Sequence, residues 1–224
     1  MWAVGAAAVL VVLAGALTWF WYLPNHRSDL RAGERYGVDV SRHQGTIDWD
    51  QVADDHIDFA YIKASEGGDL VDRRFAENWK GAGAAGLDRG AYHYFTLCRP
   101  GADQAANFLA TLPEGAELPP ALDLEIAGNC ADRPPEEAVA AEVAAFLDAV
   151  EGKTGQEVVL YIGDDWQDRY PVAGRDQRPR WARRMHRRPL TDDWWLWQFS
   201  STSRVDGITG HTDLNVMKGD APPA

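Results

Sequence analysis

From residue 36 onward, short apolar runs alternate with stretches of helical period. Tyr36–Ser41, Phe59–Ala64, Gly90–Phe95, Pro120–Ile126 and Val158–Ile162 are rich in β-branched, aromatic and aliphatic residues, and each reads as a strand. Between them, 48–56, 74–85, 103–112 and 134–151 carry apolar residues three or four apart and read as helices. Gly86 follows the second helix as a C-cap. Pro134-Pro135-Glu136-Glu137 opens the fourth with proline and acid, both suited to a first turn. After Ile162 the rhythm breaks. Residues 180–185, 194–199 and 213–216 read as three strands joined by loops, with no long helix between them. Alternation of this kind predicts an α/β fold with a parallel sheet, and eight strands can close into a barrel.

The N-terminal segment has a different character. Trp2 to Leu23 contains no charged residue, and 22 helical residues span about 33 Å, enough for a bilayer core. Trp19, Trp21 and Tyr22 would sit at the interface as an aromatic belt. Residues 1–23 are therefore expected to be a membrane anchor, 24–35 a polar linker, 36–218 the barrel and 219–224 a tail, with the barrel in the periplasm or outside the cell. The alternative is a secreted protein, because Ala14-Gly15-Ala16 has the small-x-small form of a cleavage site.

Composition narrows the partners. Charged residues at 25% and hydrophobic residues at 46% fit a globular chain with a core. A net charge of −12 repels phosphate backbones and argues against nucleic acid. The basic run Arg178 to Arg188 reads as a solvated strand and loop. Ten tryptophans suggest an aromatic-lined groove beside the core. Cys98 and Cys130 lack the histidine spacing of a metal site, so no metal or other cofactor is expected, and a monomer is expected. The two cysteines follow the third and fourth strands, on neighbouring loops of one rim, and a disulfide between them is expected.

Acids inside apolar strands carry the chemistry. Asp39 ends the first strand, Asp123 and Glu125 lie in Leu122-Asp123-Leu124-Glu125-Ile126, and Asp213 opens the last strand. Burying such groups is costly, and barrel active sites lie at the C-terminal ends of the strands. Asp123 and Glu125, two apart, point to one face. Two close carboxyls in a poorly solvated site do not both ionise, so one is kept as a general acid, as glycosidic cleavage requires.

The chain resembles the Chalaropsis-type lysozymes of glycoside hydrolase family 25. The resemblance is carried by Gly37-Val38-Asp39-Val40-Ser41-Arg42-His43-Gln44-Gly45, Phe59-Ala60-Tyr61-Ile62-Lys63-Ala64-Ser65-Glu66-Gly67, Gly90-Ala91-Tyr92-His93-Tyr94-Phe95, Leu122-Asp123-Leu124-Glu125, Trp197-Gln198-Phe199 and Asp213-Leu214-Asn215. It implies an irregular TIM-like (β/α)5(β)3 barrel and hydrolysis of the β-1,4 bond between N-acetylmuramic acid and N-acetylglucosamine in peptidoglycan glycan strands. Glu125 matches the general acid/base, Asp123 the residue assisting the substrate's N-acetyl group, and Asp39 and Asp213 the supporting acids. Tyr94, Tyr161, Trp197, Gln198, Lys63 and Glu66 are candidate substrate contacts, while His43 and His93 read as structural. The rivals are a non-catalytic peptidoglycan-binding module and a hydrolase acting on chitin.

Overall fold

Eight strands close into a barrel in the computed structural model, which describes residues 2–171 and 178–219, with side chains from residue 10. Residues 172–177 and nearly all of the expected tail 219–224 fall outside the described residues. The chain starts with helix α1 (Trp2–Leu17), a π-helical turn (Thr18–Tyr22) and the three-residue helix α2 (Leu23–Asn25). The single spanning helix expected over residues 2–23 is not found. The backbone stays helical through Thr18, whose hydroxyl donates to the Ala14 carbonyl, with a π-helical turn over Thr18–Tyr22, and no described helix is long and apolar enough to cross a membrane.

The barrel runs β1 (Glu34–Val40), helix α3 (Trp49–Asp54), β2 (Phe59–Glu66), the short β3 (Leu70–Val71), α4 (Phe75–Ala84), β4 (Asp88–Tyr94), α5 (Gly101–Thr111), β5 (Ala121–Leu124), α6 (Glu136–Thr154), β6 (Val159–Ile162), α7 (Asp164–Arg169), β7 (Arg180–Arg183), β8 (Leu196–Ser203) and β9 (Thr212–Lys218). The strands pair in the order β1-β9-β8-β7-β6-β5-β4-β2, and a β1–β2 ladder closes the ring. β3 adds an antiparallel pair to the end of β2, outside the expected set. The stretch after β6, read from the sequence as loop, opens with α7. Its Asp164 and Asp165 suit the first turn of a helix.

One strand departs from the expected parallel order. β9 is antiparallel to both β1 and β8. Its first residues therefore lie at the rim where the other strands end, and this brings Asp213 to the mouth although it opens its strand.

Strand alternation divides the core into two layers. On β2, Ala60, Ile62 and Ala64 face outward among the residues that pack under the helices, while Phe59 and Tyr61 face inward with Tyr161, Trp181 and Trp195. Glycine makes room for the inner rings: a Cβ at Gly37 would lie 2.3 Å from the Phe59 ring, and one at Gly90 would lie 2.4 Å from the Tyr61 ring. These rings fill the barrel below the mouth. Polar groups above them stand on a closed floor.

Candidate active site

Asp39, Asp123, Glu125 and Asp213 all line one cavity of about 230 Å3 at the barrel mouth. Asp123 projects from β5, and Glu125 is the first residue past that strand. The inward alternation of β1 and β9 supplies the other two, which are Cα partners across the ladder.

A chain of hydrogen bonds orders this mouth. Trp181 Nε1 donates to Asn215 Oδ1 at 2.8 Å, which turns the Asn215 amide nitrogen toward Asp39 Oδ2 at 2.7 Å. Gln198 Nε2 reaches the same oxygen at 3.4 Å. Tyr161 Oη lies 3.0 Å from Gln198 Oε1 and 3.3 Å from Glu125 Oε1. One hydroxyl proton cannot serve both acceptors at once. When Glu125 is protonated Tyr161 is free to donate to Gln198, and when Glu125 is charged the carboxylate is the stronger acceptor.

Burial raises every one of the four acids. Asp213, also facing the Asp39 charge, is pushed up to about 9. Asp39 is raised by burial to about 6, opposed by the amide donors of Asn215 and Gln198. Burial and then the Glu125 charge push Asp123 well above the ordinary range. Burial raises Glu125 too, against the hydrogen bond from Tyr161. Asp123 Oδ1 is buried without a hydrogen-bond partner among the described residues. Such a site holds protons on some carboxyls and charge on others at neutral pH, which is what acid–base chemistry on a neutral substrate needs.

The loop after Glu125 is clamped. Asp165 Oδ2 accepts from the backbone N–H of Ile126 at 3.2 Å and of Ala127 at 2.9 Å. Asn129 Nδ2 donates to the carbonyls of Phe95 and Glu125, and Asn129 Oδ1 accepts from the N–H of Leu97 and Cys130. The expected disulfide joins Cys98 to Cys130 across the same two loops, with Cα atoms 6.2 Å apart. Gly163 leaves space for the acid itself, since a Cβ there would lie 3.2 Å from Glu125 Cγ.

The other candidates divide. Tyr161 and Gln198 line the cavity. Lys63 pairs with Glu66 at 2.7 Å and sits 4.6 Å from the centre of the Tyr94 ring, whose hydroxyl donates to the Ala127 carbonyl. These three form a brace beside the cavity rather than its lining. Trp197 is not brought to the site: it faces outward, edge-on to Trp194 and Phe199, with its N–H on the Arg184 carbonyl. Among the described residues, the aromatic rings that line the cavity are Tyr92, Tyr161 and Trp181. Seven tryptophans are core residues, and of these Trp181 alone lines the cavity. His43 is exposed at a short turn, and His93 is buried on the outer face of β4 between Ser65 and Gln104, its pKa pushed down to about 3 by burial. Sequence reasoning missed Tyr92, Arg183 and Ser201 in the lining and Asn215 behind Asp39. For Tyr92 the signal was available, since it shares the inward face of β4 with Tyr94.

The model of the family described as glycosyl hydrolases family 25 matches residues 38–208. The uncharacterized protein YegX of Escherichia coli K12 is 38% identical over 193 residues, covering 82% of this chain and 70% of that protein. Lysozyme M1 of Streptomyces globisporus is 31% identical over 203 residues, covering 83% and 68%. Among solved structures, a family 25 glycosyl hydrolase from Bacillus anthracis superposes with a TM-score of 0.77 at 33% identity, over 87% of this chain and 94% of that one.

Proposed function

The chain belongs to glycosyl hydrolases family 25 and is a glycoside hydrolase, and from that premise we propose that it is a muramidase with Glu125 as general acid/base and Asp123 as the assisting acid. The observation that carries the assignment is the buried, unpartnered Oδ1 of Asp123 beside a Glu125 whose proton is held by burial. An N-acetyl N–H is a donor of the kind that the orphaned oxygen lacks. Binding it favours the charged form of Asp123 and leaves the shared proton on Glu125.

Glu125 then protonates the glycosidic oxygen between muramic acid and N-acetylglucosamine, and the C1–O bond breaks. The N-acetyl carbonyl oxygen of the muramic residue closes on C1, while Asp123 holds the N–H and offsets the positive charge that develops. Water opens the ring intermediate at C1 and gives its proton to the now ionised Glu125. Tyr161 turns its hydroxyl to Glu125 while that charge exists. Asp39, backed by Asn215 and Gln198, and the protonated Asp213 fix the polarity of the far wall. We place the enzyme where peptidoglycan is, outside the cytoplasm.

Clearing of purified walls tests the assignment. Glu125→Gln is nearly isosteric and removes the transferable proton, so turnover should fall about 10²–10⁴-fold with the fold intact. A variant that keeps more than about a tenth of wild-type turnover would remove Glu125 from this role. A peptidoglycan-binding module without chemistry would sediment with walls and leave them turbid.

A further inference from the structure

In the basic run 178–188, Arg178, Arg180 and Arg188 each hold a carboxylate within 2.9 Å, from Glu151, Asp193 and Glu34 respectively. Arg183 differs. Among the described residues its ion partner is Asp164 Oδ2 at 3.9 Å, too far for a hydrogen bond, and that aspartate side chain is 84% exposed. Arg183 stands at the end of β7, two residues after Trp181, and lines the same cavity as the four acids. Among the described residues it is the one cation in that lining.

The chemistry of the acids does not explain it. The Arg183 charge opposes proton retention by Glu125 and by Asp213. A bound anion would cancel that effect and occupy the guanidinium fork, whose paired N–H donors match a carboxylate. Bare N-acetylglucosamine units offer no anion, whereas muramic residues carry a lactyl ether ending in a carboxylate or in a peptide that bears carboxylates.

We propose that Arg183 is a specificity-determining residue that binds a carboxylate on the glycan strand's muramic side group, either the free lactyl carboxylate or one on the stem peptide. The inference rests on the peptidoglycan reading above. Arg183 thereby selects muramic-bearing strands over neutral N-acetylglucosamine polymers and seats the substrate with its side group toward β7.

The test compares wild type with R183Q on three forms of one wall preparation: peptide-bearing strands, strands stripped of peptide so that lactyl carboxylates are free, and peptide-bearing strands with their carboxylates amidated. The expected loss in kcat/KM for R183Q is about 10–100-fold, mostly in KM, on the form whose carboxylate is bound. Stripped and peptide-bearing strands then tell which carboxylate that is. On amidated strands wild type should fall toward the R183Q level. Equal loss on all three forms, or a shifted pH profile with KM unchanged, would assign Arg183 an electrostatic role and overturn the proposal. If wild type cleaves none of them, the muramidase reading fails. Cosedimentation of both proteins with the same three forms then decides the carboxylate contact on its own: weaker binding by R183Q confined to carboxylate-bearing strands supports it, and equal binding rejects it.

Discussion

Asp39 and Asp213 are Cα partners across the antiparallel β1–β9 ladder, and both carboxyls line the cavity at the barrel mouth. Burial and the Asp39 charge raise Asp213 from the ordinary 3.8 to about 9. A raised folded-state value means that the folded chain holds this proton more tightly than the unfolded chain. The associated stability is complete below the ordinary carboxylate range and is lost as pH rises toward about 9. Asp213→Asn removes that loss. The variant should be more stable than wild type above neutrality, on the order of 1–2 kcal/mol, and less active. Thermal melts at mildly acidic and mildly alkaline pH check this: wild type should lose more Tm between them than the variant does. Equal slopes would mean that Asp213 does not hold the proton.

Tyr161→Phe should separate the two states of Glu125. The hydroxyl lowers the Glu125 pKa by hydrogen bonding to the charged form. Without it Glu125 keeps its proton to higher pH, so the alkaline limb of activity should move upward. The ionised Glu125 formed in the first step also loses a donor, and kcat should fall about tenfold. A pH–rate profile shows both effects. A downward move of the limb would contradict the assigned donor direction.

Asp123→Asn tests the orphaned oxygen. If Oδ1 receives the N-acetyl N–H, the loss should fall on kcat while KM stays within about threefold, because the charge matters most in the transition state. Normal turnover with a raised KM would make Asp123 a binding group only.

Gly163→Ala probes how Glu125 is positioned. The added methyl would meet Glu125 Cγ at 3.2 Å and Asp165 Oδ1 at 2.8 Å. Displacing the acid by a fraction of an ångström should lower kcat by about 10²-fold while leaving the melt nearly unchanged. An unchanged kcat would show that Glu125 tolerates the shift.

The eight strands and four of the helices were legible because inward and outward faces alternate in unbroken apolar runs. The four acids stood out because an Asp or Glu between Val, Leu and Ile has no structural excuse. What stayed hidden depends on three-dimensional neighbours. Trp197 looked like a sugar platform beside Gln198, yet one step along β8 turns it to the outer layer. The contact of Asn215 with Asp39 stayed hidden because it requires the antiparallel β9, and local pattern does not encode strand direction. Arg183 lay in a basic run in which Arg178, Arg180 and Arg188 pair with carboxylates elsewhere, such as Glu34 for Arg188, and its place in the cavity lining was visible only in space. For the N-terminal run, the structure shows a π-helical turn over Thr18–Tyr22 and no described helix long and apolar enough to cross a membrane.

The most direct measurement of the central claim is mass spectrometry of wall fragments released by wild type and by Glu125→Gln, reduced with borohydride to mark the new reducing end. Wild type should yield fragments ending in reduced muramic acid, and Glu125→Gln should release almost none. Fragments ending in reduced glucosamine, or undiminished release by Glu125→Gln, would contradict a muramidase that works through this acid.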